Sequence, residues 1–405
     1  MYRAGRMKPR PVAQRFSAMA RKSTRRDFLK GKAAAEALSD MAGKPAGFGA
    51  PADRAQRCGA EAPGEAPGAA PDSFLLHVSR QAMACQFELV LSAGQYAHGT
   101  EAALEALDLV ETLEQPMSYF RPTSQISRLN ALAADGPVEV EPWLYELLEL
   151  AMQLHAQTHG AFDVAAGAAW EAWGFSRRAG KVPSDEAIDQ ALACCGSHLV
   201  QLDPERKTVR FTRPGVRLSL GSLGKGYALD RAGQMLAAAG IHDFLFHAGQ
   251  SSILARGSRR GPPFPEPSRE NRDSPREPGP GWTVGIRHPL APQRRLGELC
   301  LRDRALGTSG STMQFFRHRG RRYGHILDPR TARPAEGMLS ATVVASSAVR
   351  ADALSTALFV LGPERGFAFL RSRSDLAGVL VCQSSKKGGA EILTAGFSED
   401  ELTLL

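Results

Sequence analysis

The sequence lacks several patterns that assign a protein to a class on their own. Its six cysteines include no Cys-x-x-Cys pair, so neither a thioredoxin-type redox motif nor a paired-cysteine zinc site is indicated. None of them stands in a lipobox-like context, so no lipoprotein anchor is predicted. No apolar run reaches the roughly 18 residues that predict a transmembrane helix. The glycine-rich stretches match neither the Walker A loop nor the Rossmann Gly-x-Gly-x-x-Gly fingerprint.

Positive charge is unevenly distributed along the 405 residues, whose formal net charge is +8. Residues 1–72 contain 14 Lys or Arg against 7 Asp or Glu, so this stretch carries +7 and the remainder only +1. The remainder is nearly neutral, and no surface of mixed basic and aromatic residues follows the tail. The composition therefore does not predict a nucleic-acid partner. The length allows one large domain or two smaller ones.

The N-terminal stretch has only part of an export signal. Residues Thr24 to Lys30 read TRRDFLK, which is typical of the twin-arginine type and contains Arg25-Arg26. The apolar segment that such a signal requires next is interrupted by Lys32, Glu36 and Asp40. Export and retention as a basic tail both remain open, so the localisation is cytoplasmic or exported.

Apolar periodicity predicts a mixed fold, α/β leaning to α+β, for residues 73–405. Residues 1–72 are predicted as a basic tail and an Ala/Gly/Pro-rich linker, and residues 256–281 as a disordered surface insertion. Helices are predicted at Glu101–Glu114, Trp143–His155, Tyr227–Ala239 and from Ala351 onward. Strands are predicted at Phe74–Leu91, Phe244–Ala248, Trp282–Arg287 and Ser340–Ala345, and a hairpin at Val209–Phe211 with Val216–Leu220.

Two local patterns indicate chemistry. Residues Gly221 to Gly226 form a glycine-rich loop between a predicted strand and a predicted helix, and exposed N–H groups at a helix start bind anions such as pyrophosphate. Lys225 adds a full positive charge there. Farther on, Asp352, Ser355 and Thr356 share one face of a predicted first helical turn. Such hard oxygens suit Mg²⁺ and are poor ligands for zinc. The alternative is that Asp352 is only a first-turn acid favoured by the helix dipole.

Five motifs then occur in order along the chain. They are GAFDVAAGAAWEAWGF (Gly160 to Phe175), LSLGSLGKGYALD (Leu218 to Asp230), TSGS, GHILDPRT and ADALSTA. This ordered set resembles the ApbE family, the FAD:protein FMN transferases, over about Phe74 to Phe397. The resemblance implies two interlocked α/β halves with a flavin nucleotide site between them. It implies FAD as substrate and transfer of FMN to a Thr hydroxyl of an acceptor flavoprotein, with release of AMP.

The resemblance also implies a set of site residues. His325 would be the catalytic base that takes the proton of the acceptor hydroxyl. The residues at family positions for holding Mg²⁺ are Ser222, Asp352, Ser355 and Thr356. Those at family positions for contacting the flavin nucleotide are Met83, Phe120, Ala161, Phe162, Asp163, Ser219, Lys225 and Ile326.

Three of these residues have other readings on sequence alone. Phe120 stands where the family often has a Tyr that stacks on the flavin, and it could equally be a core aromatic in a loop. Asp163 could also cap the next helical segment, Val164–Trp173. A lone His beside a turn, such as His325, is more often structural; its place in GHILDPRT favours the base.

Two departures from the family pattern keep other functions open. Ser219 stands where the family has a cofactor-binding Asp, and Gly249-Gln250-Ser251 stands where it usually has Gly-Gly-Asp or Gly-Gly-Asn. The alternatives are an FAD-binding protein or FAD pyrophosphatase without a protein acceptor, and an exported flavin-binding protein that has lost the chemistry. Intact His325, Asp352 and Thr356 favour the transferase.

Overall fold

The computed structural model describes residues 74–177, 179–259, 281–311, 314–384 and 389–405. All of them belong to one unit, Gly68–Leu405. The predicted tail at residues 1–72 and most of the predicted insertion at 256–281 lie outside the described residues, so both stay predictions.

Seven α-helices and eighteen strands form in the described part of the chain. The helices are α1 Gly99–Met117, α2 Gln125–Leu132, α3 Pro142–Gln157, α4 Gly167–Ala172, α5 Asp185–Leu192, α6 Gly224–Ala238 and α7 Ala348–Arg371. The strands are β1 Leu75–Ala82, β2 Cys85–Ser92, β3 Val138–Glu139, β4 Val200–Asp203, β5 Thr208–Phe211, β6 Phe244–Ala248, β7 Ser252–Arg256, β8 Trp282–Arg287, β9 Arg295–Leu301, β10 Ala305–Gly310, β11 Phe315–His318, β12 Arg321–Gly324, β13 Leu327–Asp328, β14 Arg333–Pro334, β15 Met338–Ala345, β16 Ala377–Gln383, β17 Ala390–Ala395 and β18 Leu402–Leu404. None of the helices described is long and apolar enough to cross a membrane.

One large sheet organises the fold. Its eight strands run in the order β1-β2-β6-β7-β10-β15-β16-β17. Each neighbouring pair is antiparallel. The predicted mixed class is confirmed, and antiparallel pairing places it on the α+β side.

The sheet is covered on both faces. Alternate residues of β15 point in opposite directions, so Val343 joins the core under the helices while Val344 joins a second core. Helices α1, α6 and α7 pack on the first face. The small sheet β18-β9-β8 packs on the second face, where Trp282 and Leu299 are buried. A third cluster, centred on Trp173, lies under α4 and α5.

The two strands that flank the predicted insertion are joined where the insertion begins and ends. The indole Nε1 of Trp282, the first residue of β8, donates to the carbonyl oxygen of Arg256, the last residue of β7, at 2.9 Å. The next two residues are also held, since Gly257 N–H donates to Asp303 at 2.8 Å and Ser258 N–H to Asp243 at 3.0 Å. The two ends of this connection therefore lie side by side.

The strand structure predicted for Phe74–Leu91 is confirmed: it forms the hairpin β1–β2, in which Met83 and Ala84 adopt φ of +49° and +58° and reverse the chain. The predicted hairpin of Val209–Phe211 with Val216–Leu220 was wrong. Val216–Leu220 is not a strand, since β5 pairs with β3 and β4 instead. The Asn130 side chain takes the place of a pairing strand: it accepts from Leu218 N–H at 2.7 Å and donates to Leu218 O at 3.0 Å.

Two helices begin three residues earlier than predicted, at Gly224 for α6 and at Ala348 for α7. The Ser347 hydroxyl caps α7 by accepting from Arg350 N–H. Asp352 therefore lies in the second turn, and the alternative of a first-turn acid stabilised by the helix dipole is wrong.

Candidate active site

A cavity of about 810 Å³ opens between the start of α6, the end of β10 and the β1–β2 turn. This volume falls in the range of roughly 300–1,000 Å³ typical of ligand sites. All thirteen residues predicted for the site lie on its wall: Met83, Phe120, Ala161, Phe162, Asp163, Ser219, Ser222, Lys225, His325, Ile326, Asp352, Ser355 and Thr356.

Two glycines allow the backbone to close around Asp352. A Cβ at Gly226, in α6, would lie 2.3 Å from the carbonyl oxygen of Ala348, and a Cβ at Gly307, in β10, would lie 2.4 Å from that of Ala351. Only glycine permits such contact between α7 and its neighbours. As a result, the backbone N–H of Gly226 reaches the Asp352 carboxylate at 2.8 Å.

A second carboxylate, that of Asp230 in α6, holds the start of α7. Asp230 accepts the N–H groups of Ala348 and Val349, each at 2.9 Å, and the Ser347 hydroxyl at 3.1 Å. These are N–H groups that a helix start leaves without intrahelical partners. Asp230 thus fixes the two helices relative to each other and, with them, the position of Asp352.

Asp352 is buried, with 6% of its surface exposed. Burial raises the pKa of its carboxyl to about 6, while the Lys225 charge and the Gly226 N–H act in the opposite direction. When a carboxyl has so high a pKa, a further positive charge beside it strongly stabilises the ionised form.

A cluster of hydroxyl groups lies at the backbone carbonyl of Asp352 and on the same cavity wall. The Ser309 hydroxyl lies 2.9 Å from that of Ser355 and 3.0 Å from that of Thr356. Ser355 and Thr356 also donate to the backbone carbonyl of Asp352, at 2.9 and 3.3 Å. Sequence reasoning missed Ser309, although the TSGS motif that contains it was recognised.

The donor set fits magnesium. The possible ligands are one carboxylate, hydroxyls and backbone carbonyls. A different kind of metal site, built from three or more His, Cys, Asp or Glu side chains, is not found within the described ranges. Mg²⁺ prefers such hard oxygens and completes its coordination with water and phosphate oxygens, whereas zinc prefers nitrogen and sulfur.

The start of α6 provides a positive region on the cavity wall. Its N-cap residue, Leu223, supplies no side-chain cap, and the Gly224 and Gly226 N–H groups donate to Leu220 O and to Asp352, so the start of α6 attracts an anion through the helix dipole and the Lys225 charge. Lys225 Nζ lies 2.5 Å from the Ser251 hydroxyl. Ser222 is in the turn before the helix, and Ser219 N–H donates to Val164 O at 2.8 Å.

The backbone carbonyl of Gln314 fixes which ring nitrogen of His325 carries the proton. The Nδ1 atom of His325 lies 3.0 Å from the carbonyl oxygen of Gln314, which can only accept, so Nδ1 carries the proton and Nε2 is left with a lone pair. Burial lowers the pKa of the imidazole below its ordinary value; the Gln314 carbonyl opposes this, and the nearby Lys225 charge adds to it. The ring is therefore neutral at pH 7.

An aromatic surface lines another part of the wall. Phe120 is 65% exposed, so it is not a core aromatic. Its ring centroid lies 5.5 Å from that of Tyr119 and 6.0 Å from that of Trp170. Sequence reasoning assigned no role to Tyr119 or Trp170, although Trp170 falls inside a quoted motif and Tyr119 precedes Phe120. Exposed rings of this kind suit a planar aromatic ligand.

Asp163 connects three segments of the chain beside the cavity. It does not cap α4, which begins at Gly167, so that alternative is wrong. Its carboxylate accepts from Ala165 N–H at 2.7 Å and from both the N–H and the hydroxyl of Ser197 at 2.8 Å, and it pairs with His155 at 2.9 Å. Burial raises the pKa of Asp163, but His155 and the N–H donors more than offset this, so that the pKa is lowered.

Known proteins similar to this chain belong to one family. The model of the ApbE family matches residues 83–380. The chain belongs to the ApbE family. The FAD:protein FMN transferase of Treponema pallidum is 35% identical over 67% of this chain and 74% of its own, and that of Vibrio cholerae 30% over 71% and 81%.

Solved structures agree as well. The ApbE protein of Thermotoga maritima matches with a TM-score of 0.68 and 28% identity, over 78% of this chain and 96% of its own. The flavin transferase ApbE of Vibrio cholerae matches with a TM-score of 0.66 and 26% identity, over 80% and 97%.

The two departures from the ApbE pattern lie on the same cavity wall. Gln250 adopts φ of +65° and accepts a hydrogen bond from Arg287, which lies on the wall too. This ApbE chain thus has a cation at the rim beside the altered Gly-Gln-Ser segment. Ser219 contributes no charge.

Proposed function

We propose that this chain is a flavin transferase, which moves FMN from FAD to a Thr hydroxyl of an acceptor flavoprotein and releases AMP. The support comes from the relatives named FAD:protein FMN transferase and from one observation in the cavity. A neutral His325, with Nε2 unprotonated, faces the same cavity as the cationic Lys225 and the oxygen cluster around Asp352.

The oxygen cluster is where Mg²⁺ would bind in this proposal. Asp352 and Thr356 would hold it with side-chain oxygens, and Ser355 and Ser222 would contribute partly through backbone oxygens. When bound, the ion offsets negative charge on the pyrophosphate oxygens.

The chain's own residues divide the remaining work. Phe120 stacks on the flavin ring, and Lys225 with the α6 N-terminus offsets the pyrophosphate charge. His325 Nε2 accepts the proton of the acceptor hydroxyl as its oxygen forms a bond to the FMN phosphorus. The bond from that phosphorus to the bridging oxygen breaks, and AMP leaves with the electron pair.

Substitution of His325 by Ala tests the proposal. Loss of a general base typically lowers a rate by about 10² to 10⁴. FMN transfer, measured as the mass gained by a candidate acceptor with release of AMP, should fall by this factor while FAD affinity stays within a few fold. His242→Ala, at an exposed His, is the control.

Two results would contradict the proposal. Free FMN formed at the same rate with and without acceptor would favour a pyrophosphatase. Loss of FAD binding in His325→Ala, with an unchanged circular dichroism spectrum, would make His325 a cofactor ligand or structural residue rather than a base.

A further inference from the structure

The hairpin formed by β11 and β12 is basic and lies directly beside the base. Residues 317–322 read Arg-His-Arg-Gly-Arg-Arg, and all of them are exposed. Gln314, whose carbonyl holds His325, precedes β11, and β12 ends at Gly324, one residue before His325. Anything bound along this hairpin is therefore adjacent to the catalytic imidazole.

One face of the hairpin packs against the rest of the fold through its two aromatic rings. Phe316 and Tyr323 stand opposite each other with ring centroids 5.3 Å apart and nearly parallel planes, and both pack on the cluster around Trp173. Arg321, on the same face, forms an ion pair with Glu336. This inner face has its partners within the chain.

The outer face has no acidic partner among the described residues. Arg317 and Arg322 are directly opposite each other across the two strands, an arrangement of like charges that destabilises a hairpin. Burial lowers the pKa of Arg322, and the Arg317 charge lowers it further. No carboxylate in the described residues forms an ion pair with Arg317, Arg319 or Arg322.

This face is also continuous with the cavity. The Arg322 guanidinium donates to the carbonyl of Ser311, which follows the Ser309 segment of the cavity wall, and lies 3.9 Å from the centre of the Phe315 ring. The face therefore presents two adjacent guanidinium groups and a partly exposed aromatic ring. Guanidinium groups bind carboxylates with two parallel hydrogen bonds.

We propose that the outer face of this hairpin, around Arg317 and Arg322, binds a carboxylate in an acidic segment of the acceptor flavoprotein. The proposal rests on the transferase function above and names the chemistry of its partner. A carboxylate between the two arginines removes their mutual repulsion, and the bound segment leads directly to His325. A nucleic acid is disfavoured because the charge is confined to one hairpin on a nearly neutral domain, whereas nucleic acids require an extended basic surface.

The substitution Arg317→Glu tests this assignment. The new carboxylate faces Arg322 across the hairpin, so it forms an internal cross-strand ion pair and the fold is retained, as thermal unfolding would show. Arg210→Glu is the matched control, since it makes the same change of charge at an exposed position of another hairpin, β4–β5.

Binding is measured on the full chain without FAD, by fluorescence polarisation. The probes are a labelled peptide with a central Thr flanked by Asp and Glu, and the same peptide with Asn and Gln instead. The acidic peptide should bind about tenfold more tightly, the gain expected of a charge-assisted hydrogen bond. Arg317→Glu should remove this preference, Arg210→Glu should keep it, and added salt should weaken it.

Equal binding of the two peptides, an unchanged preference in Arg317→Glu, or an equal loss in Arg210→Glu would overturn the assignment. So would a DNA duplex or phosphatidylserine vesicle that binds the parent more tightly than the acidic peptide and is lost in Arg317→Glu. Because the measurement involves no transfer, its failure is separate from failure of the transferase function, which would show as no FMN transfer by the parent.

Discussion

The contact between Gly226 and the start of α7 links the packing of two helices to the chemistry of Asp352. In Gly226→Ala the new Cβ would lie 2.3 Å from the Ala348 carbonyl oxygen, whereas ordinary contact begins near 3.4 Å. Both atoms at issue belong to, or are bonded to, helix backbone, so no flexible side chain can move aside. The two helices must separate by about 1 Å, which lengthens the 2.8 Å hydrogen bond from Gly226 N–H to Asp352.

The expected loss of stability comes from overpacking and from the lengthened hydrogen bond. Overpacking typically costs about 1–3 kcal/mol. A hydrogen bond to a charged group contributes about 1.5–3 kcal/mol, and the higher helix propensity of Ala returns up to about 1 kcal/mol. We therefore expect the free energy of unfolding to fall by about 1.5–6 kcal/mol, measured by urea denaturation with metal-free protein.

The variant should also change the pH dependence. Losing an N–H donor disfavours the charged form of Asp352, so its pKa rises above the parent's value of about 6. The acid limb of FMN transfer should move to higher pH, and more Mg²⁺ should be needed at pH 7. Gly233→Ala is the control, since it lies in the same helix and its Cβ meets side chains rather than backbone: the Cδ2 of Leu254 at 2.5 Å and the Cζ of Phe244 at an ordinary 3.5 Å. It should lose less stability and keep the parent's acid limb.

Either of two results would refute this reasoning. A Gly226→Ala protein as stable as the parent would mean that the helices are not in the tight contact described. A destabilised protein with an unmoved acid limb would mean that the Gly226 N–H does not set the ionisation of Asp352.

Three further predictions concern other parts of the site. Asp163→Asn should lower the free energy of unfolding by about 2 kcal/mol, since it leaves the partly exposed His155 without its buried partner. The raised pKa of His155 and the lowered pKa of Asp163 mean that this contribution is complete between about pH 4 and 6.5. The stabilisation by this pair should be lost as the pH rises through the folded pKa of His155 or falls through that of Asp163. Denaturation of parent and variant across this pH range measures the loss. An identical pH profile in both proteins would contradict the pairing. Phe120→Ala should weaken FAD binding about tenfold by fluorescence titration without changing stability, since the ring is exposed; Phe74→Ala, at a ring 84% exposed, is its control, and unchanged FAD affinity would exclude stacking. Excess EDTA should stop FMN transfer, and a higher Mg²⁺ concentration should shift the acid limb of the parent to lower pH because the ion favours ionised Asp352; full turnover in EDTA would remove the metal from the mechanism.

Much of the site could be predicted because its residues fall in short motifs. Lys225 follows from a glycine loop before a helix, and Asp352, Ser355 and Thr356 from helical spacing; both are local patterns. The role of Ser309 could not be predicted in this way. It depends on β10 lying against α7, which brings residues more than forty positions apart into contact.

The errors have the same physical origin. The run Val216–Leu220 has a strand-like pattern, yet the amide of Asn130, distant in sequence, occupies its backbone groups. The start of α7 was placed too late because Ser347 and Asp230 together supply the cap, and Asp230 belongs to another helix. Local propensity describes such segments only until a distant side chain competes for the same backbone groups.

The paired ends of β7 and β8 make the intervening segment a natural place for insertion. Arg256 and Trp282 are already in contact at 2.9 Å, so the chain between them begins and ends at one point. Doubling the length of a loop adds only about 0.6 kcal/mol of closure entropy. Arg287, on the cavity wall, stands at the opposite end of β8, roughly 16 Å away at the usual rise per residue. Homologues can therefore differ in length here without altering the site, and a fluorescent reporter domain could be grafted at this point while transfer activity is retained.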